Sequence, residues 1–168
     1  MIYLVTGGAR SGKSRYAQQL ALSLASNPVY VATAKVWDGD FEQRIRRHQQ
    51  DRGPEWTSFE EQLQVSALPL DGRVAVIDCV TLWLTNFFVQ HKQDVDACLQ
   101  GLQREIQLLM QKQDATLIIV TNEIGMGVHA ETAIGRQFTD LQGWANQYIA
   151  QQAQKVVLMV SGIPVPIK

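Results

Sequence analysis

A chain of 168 residues, 46% apolar and 18% charged, has the size and composition of one folded domain, which excludes a disordered or fibrous protein. A net charge of −1 gives no general basic field for nucleic acid or an anionic membrane, and no apolar run approaches the roughly 20 residues that insert across a bilayer. Cys79 and Cys98 lack metal-ligand or redox spacing and no charged leader opens the chain, so a cytoplasmic protein without a disulfide framework is expected.

Ile2 to Thr6 is an apolar run of the kind that forms a parallel strand covered on both faces. It leads directly into GGARSGKS, Gly7 to Ser14, which matches the phosphate-loop pattern G-x-x-x-x-G-K-[ST]. Gly7, Gly8, Ala9, Arg10, Ser11 and Gly12 supply backbone N–H groups that curl around phosphate oxygens, and the following helix turns its positive end to the same anion. Lys13 is the cation that reaches the β- and γ-phosphates, and Ser14 is the hydroxyl for Mg²⁺. A helix follows over Lys13 to Leu24, stopped by Asn27-Pro28, and then a strand over Val29 to Thr33.

Asp38 to Asp51 is dense in arginine and acid, with Phe41 and Ile45 as apolar anchors, and reads as an exposed helix ended near Arg52-Gly53-Pro54. Val65 to Pro69 is a connection. Val74 to Asp78 is a strand with a carboxylate at its C-terminal end. Helices are expected over Thr81 to Gln90 and Asp94 to Gln113, and a strand over Leu117 to Thr121. Asn122 to Gly127, NEIGMG, is too glycine-rich for an ordinary helix entry. A helix over Gly135 to Ala153, a strand over Val156 to Val160, and an edge strand limited by Pro164 and Pro166 complete the chain. This alternation predicts a single α/β domain over 1–168, a mostly parallel sheet flanked by helices.

In such sheets ligands gather at the C-terminal strand ends, here the phosphate loop, Ala32-Thr33-Ala34, Asp78 and Thr121-Asn122-Glu123. Asp78 stands where P-loop proteins place the acid that holds hydrated Mg²⁺; a turn-capping Asp is the alternative. Glu123 suits water, metal or a substrate hydroxyl, or else caps the next helix. On a helical Arg44 to Arg52, Arg44, His48 and Arg52 share one face with Arg47 and Asp51 beside them. Neighbouring cations keep such a histidine neutral, as a nucleophile at phosphorus requires; an incidental His on a solvated face is the plainer reading. His91 and His129 read as surface residues.

GGARSGKSRYAQ, YVATA, RIRRHQQDRGPEW, VIDCVTLWLTN, VTNEIGMG and VSGIPVPIK, in this order and spacing, resemble the bifunctional adenosylcobinamide kinase / adenosylcobinamide-phosphate guanylyltransferase family of cobalamin biosynthesis. The resemblance spans essentially the whole chain and implies a RecA-like P-loop NTPase fold. It also implies two reactions: a nucleoside triphosphate, ATP or GTP, phosphorylates adenosylcobinamide, and GMP from GTP passes through a histidine to adenosylcobinamide phosphate. His48 matches the guanylylated histidine, and guanine-nucleotide contacts map onto Gly7 to Ser14, Ala32 to Ala34, Gln49, Gln50, Asp51, Arg52, Glu60 and the segment after Asp78. The resemblance further implies a homotrimer with sites between subunits. Two departures stand out: Gly53 separates Arg52 from Pro54, and Arg47 replaces the histidine that some relatives carry before the nucleophile. A corrin needs an exposed apolar surface; Trp83, Phe87 and Phe88 are candidates, although their helical spacing reads first as core. The competing functions are a P-loop small-molecule kinase without guanylyl transfer and a RecA-like ATPase module.

Overall fold

The computed structural model describes residues 1–35 and 53–168. The expected helix over Asp38 to Asp51, and with it Arg44, Arg47, His48, Gln49, Gln50, Asp51 and Arg52, lies outside the described residues.

The described chain runs β1 (Ile2–Gly7), α1 (Lys13–Leu24), β2 (Val29–Ala32), β3 (Thr57–Glu60), a 3-10 turn (Val65–Ala67), β4 (Val74–Asp78), α2 (Val80–Gln90), α3 (Val95–Met110), β5 (Thr116–Val120), α4 (Ala133–Gln152), β6 (Lys155–Val160) and β7 (Ile163–Pro166). The strands form one sheet in the order β3-β2-β4-β5-β1-β6-β7, parallel throughout except for the antiparallel β6–β7 pair. This is the mostly parallel, helix-flanked sheet that the alternation of elements predicts.

Alternate residues on the central strands enter two cores, as period-two side-chain geometry requires. Leu4, Ile77, Leu117 and Ile119 face the larger core with Trp83, Leu84, Leu102, Ile106 and Leu141 of α2, α3 and α4. Val5, Tyr30, Val76, Ile118 and Val120 face the smaller one beneath α1. Its helix contributes Ala17 and Ala21, both fully buried, so the helix that follows the phosphate loop lies close to the sheet.

The sequence reading overlooks β3. TSFE lacks an apolar run because this short strand lies at the sheet edge with alternate residues half-buried, and only Phe59 packs on the core. The aromatic cluster on α2 is core: Trp83 is fully buried with its indole N–H donating to the Leu63 carbonyl (3.0 Å), and Phe87 and Phe88 are buried beside it. None of the three offers a surface to a corrin. The β6–β7 connection turns through Ser161 and Gly162, both at positive φ (51° and 83°), the conformation that matches the twist of tight hairpins. Pro164 and Pro166 then lie on an outer strand, where a missing N–H is tolerated.

Register aligns the strand ends. Val5 pairs with Val120, Val120 with Asp78, Asp78 with Ala32, and Ala32 with Glu60, which makes one row across five strands. β5 separates the phosphate-loop strand from the Asp78 strand.

Candidate active site

Backbone conformation shapes the phosphate loop. Gly7, Arg10 and Gly12 have positive φ values of 149°, 56° and 95°. At Gly7 a side chain is excluded outright: a Cβ would stand 2.5 Å from the Met159 carbonyl oxygen of β6. Gly12 precedes the first residue of α1, so the helix begins with its free N–H groups directed at the loop. The β6–β7 hairpin braces the loop from outside, with the Gly162 N–H donating to the Ser11 carbonyl (2.9 Å).

Lys13 is 7% exposed, and its ammonium donates to the Gly8 carbonyl at 2.6 Å, closing the loop on itself. Burial lowers its pKa from the ordinary 10.5, countered by Cys79 and Asp78 nearby. This is a desolvated cation short of negative charge, which an incoming phosphate would supply. Ser11 Oγ, buried and without a hydrogen-bond partner in the structure, is a second unsatisfied group in the loop.

Asp78 ends β4 and accepts a hydrogen bond from the Tyr30 hydroxyl (2.8 Å) at Oδ2. Tyr30 in turn packs edge-on against Trp56, with ring centroids 5.9 Å apart. Thr33 locks the neighbouring turn: its Oγ1 donates to the Cys79 carbonyl (2.7 Å) and accepts from the Cys79 N–H (2.9 Å). Asn86 of α2 donates to the Thr33 carbonyl (2.7 Å). Both hydrogen bonds of the Thr33 hydroxyl, and the one at its carbonyl, are thus committed to holding the strand ends. Burial and the Asp78 charge push the Cys79 thiol up to about 12, so it stays protonated and inert at neutral pH.

The third strand end is set by a buried polar cluster. Gln142 and Asn146 lie one turn apart on α4, and Asn146 Oδ1 accepts from Thr121 Oγ1 (2.6 Å) and from Gln142 Nε2 (3.0 Å). Asn146 Nδ2 donates to the Asn122 carbonyl (3.2 Å), while Asn122 Nδ2 donates to Thr81 Oγ1 (3.0 Å). Glu123 N–H donates to the Gly7 carbonyl (3.0 Å), joining this strand end to the phosphate loop.

The structure therefore brings Gly7, Gly8, Ala9, Arg10, Ser11, Gly12, Lys13, Ser14, Ala32, Thr33, Ala34, Glu60, Asp78 and Glu123 to one edge of the sheet. Sequence reasoning missed Tyr30, Asn86, Gln142 and Asn146. A signal existed for two of them: Gln142 and Asn146 share the α4 face of the buried Leu141, Ala145 and Ile149. Among the described residues no cluster of three or more His, Cys, Asp or Glu could hold a metal ion. Nor is any described helix long and apolar enough to cross a membrane.

Comparison with known proteins adds a family. The profile of the family described as cobinamide kinase / cobinamide phosphate guanyltransferase matches residues 3–167. The bifunctional adenosylcobalamin biosynthesis protein CobU of Escherichia coli is 38% identical over 184 aligned residues, covering 100% of both chains. Its counterpart CobP of Pseudomonas aeruginosa is 36% identical over 169 residues, covering 98% of this chain and 96% of that one. Among solved structures, the flagellar accessory protein FlaH of Methanocaldococcus jannaschii aligns with a TM-score of 0.47 at 13% identity, covering 99% of this chain and 77% of that one.

Proposed function

The chain belongs to the cobinamide kinase / cobinamide phosphate guanyltransferase family, and from that membership we propose that it carries out both reactions of that name in the assembly of the cobalamin nucleotide loop. In the first, the hydroxyl oxygen of the aminopropanol arm of adenosylcobinamide attacks the γ-phosphorus of a nucleoside triphosphate, ATP or GTP, and the diphosphate leaves. In the second, a ring nitrogen of His48 attacks the α-phosphorus of GTP and pyrophosphate leaves. A phosphate oxygen of adenosylcobinamide phosphate then displaces His48, giving adenosylcobinamide-GDP and a free enzyme.

The observation that carries the reading is the phosphate loop: a left-handed backbone cradle at a helix N-terminus, with the Lys13 ammonium buried, partly desolvated and held by a carbonyl in place of an anion. Lys13 would turn from Gly8 to the phosphates, and the loop N–H groups and Ser11 Oγ would find acceptors there. His48 rests on the family pattern. Support from the described residues is positional, since its segment departs after Ala34, beside Asp78, and returns at Trp56, which packs on the tyrosine bonded to Asp78. The nucleotide contacts extend over Ala32 to Ala34, Gln49 to Arg52 and Glu60.

The oxygen donors Ser14 and Asp78 suit Mg²⁺, a hard cation that takes few protein ligands and keeps phosphate and water for the rest. Asp78 ends its strand on the same row as Val5 and Val120, one strand removed from the strand that leads into the phosphate loop, and its charge opposes the lowering of the Lys13 pKa by burial. When bound, the metal neutralises charge on the phosphates. In this reading the enzyme works in the cytoplasm as a homotrimer and engages no nucleic acid.

GTP labelled at the α-phosphate should leave acid-labile, alkali-stable label on the wild-type protein and none on His48→Asn. Equal labelling of the variant would show that His48 is not the nucleophile. Phosphorylation of adenosylcobinamide with no protein label at all would reduce the enzyme to a kinase.

A further inference from the structure

We propose that the loop from Ile124 to Val128 forms the surface on which the corrin macrocycle of the substrate rests. The inference builds on the cobinamide reading above and names the part of the site that holds the acceptor.

A cobinamide whose hydroxyl lies against the γ-phosphate must lay the rest of its bulk on protein that adjoins the phosphate loop. The aromatic residues that the sequence offers for this task, Trp83, Phe87 and Phe88, are sealed in the core. The loop after β5 meets the requirement. It starts at Glu123, whose N–H is bonded to Gly7 of the phosphate loop (3.0 Å), and Met126 is three residues on, within about 11 Å of chain. Its apolar side chains face outward: Ile124 is 37% exposed, Met126 78% and Val128 99%.

Scattered exposed apolar residues are ordinary, whereas Ile124, Met126 and Val128 share one short loop beside the phosphate loop. At the near end Asn122 is bonded to Thr81 and Asn146. At the far end the Arg136 guanidinium donates to the carbonyls of Ala130 (3.0 Å) and Glu131 (2.7 Å), and Thr132 caps α4 by accepting from the Gly135 N–H. A Cβ placed on Gly127 would meet no described atom within 4 Å, so the backbone there is open to a flat ring. Met suits such a surface because its unbranched thioether adapts to an irregular apolar partner.

The test uses the full-length protein and the double variant Met126→Ser/Val128→Ser, in which both changes fall on exposed positions. Cobinamide binding is measured by equilibrium dialysis, read by the absorbance of the corrin itself. GTP affinity and covalent labelling from α-labelled GTP are followed in parallel. The Kd for cobinamide should rise about tenfold in the variant, with GTP affinity and labelling at wild-type levels. Met126→Leu/Val128→Ile should retain wild-type affinity. An unchanged cobinamide Kd in the serine variant would overturn the proposal. So would a change in sedimentation showing lost subunit association, which would assign the loop to a second copy of the chain. Wild-type protein that binds no cobinamide would instead sink the underlying cobinamide reading, a result distinct from equal binding by wild type and variant.

Discussion

Two loops leave adjacent strand ends of the same sheet and are bonded to each other, yet they are built in opposite ways. The loop after β1 is made of backbone: positive-φ residues, a lysine folded inward onto Gly8, and a hairpin pressed against Ser11. The loop after β5 is held at its ends by side chains, Asn122, Asn146 and Arg136, and shows apolar groups at its middle. The difference follows the chemistry each would meet. Phosphate oxygens are recognised by N–H groups, which every residue carries, so side chains there are obstacles. An apolar ring is recognised by side chains alone, so the backbone needs external support.

Changes confined to one loop should therefore separate the two functions. The largest effect belongs to Lys13→Ala, which should lower both phosphorylation and guanylylation by about 10³-fold in single-turnover assays while cobinamide still binds. Retained guanylylation would mean two independent triphosphate sites. The same variant has a pH signature. Because burial lowers the Lys13 pKa from 10.5, the unfolded chain binds more protons than the folded one between the lowered value and 10.5. The nucleotide-free protein should gain stability as pH rises through that window, and Lys13→Ala should lose this contribution in urea melts.

The second effect sharpens the other side of the comparison. Asn146→Leu removes the acceptor of the Thr121 hydroxyl and the donor to the Asn122 carbonyl, leaving Gln142 bonded to Thr121 alone, and should cost about 2 kcal/mol in denaturant unfolding. In the folded fraction, the KM for adenosylcobinamide should rise more than that for the triphosphate; equal changes would erase the distinction between the loops. The smallest effect is expected from Gly162→Ala. With φ at 83°, an added Cβ strains the hairpin by about 1 kcal/mol. Here triphosphate affinity should fall and cobinamide affinity hold, since Gly162 braces only the first loop.

The sequence was most readable where structure depends on local rules. The phosphate loop demands glycine at fixed positions, and the boundaries of α1, Lys13 to Leu24, follow from its apolar spacing and the Asn27-Pro28 stop. Asp78 was visible because VAVI announces a buried strand that ends in a charge. The buried role of Trp83, Phe87 and Phe88 was legible as helical spacing. What escaped depends on tertiary neighbours. TSFE becomes a strand only because Val29 to Ala32 lies beside it, and the apolar spacing that puts Gln142 and Asn146 on the buried face of their helix does not name their partner, Thr121. The Tyr30 hydroxyl likewise gains its meaning from Asp78, 48 residues away. His48, which the family pattern singles out, lies outside the described residues.

The brace between Gly162 and Ser11 has a consequence for how the protein is born. The phosphate loop precedes its partners in the chain: its strand pairs with Leu117 to Val120 and Lys155 to Met159, and its outer support arrives only at Gly162. At ordinary elongation speeds that delay is on the order of ten seconds. Until Leu117 to Val120 have been made, Ile2 to Val5 has no strand partner and exposes an apolar run of the kind that holding chaperones bind. The full brace on the phosphate loop therefore forms only once the chain has been made past Gly162.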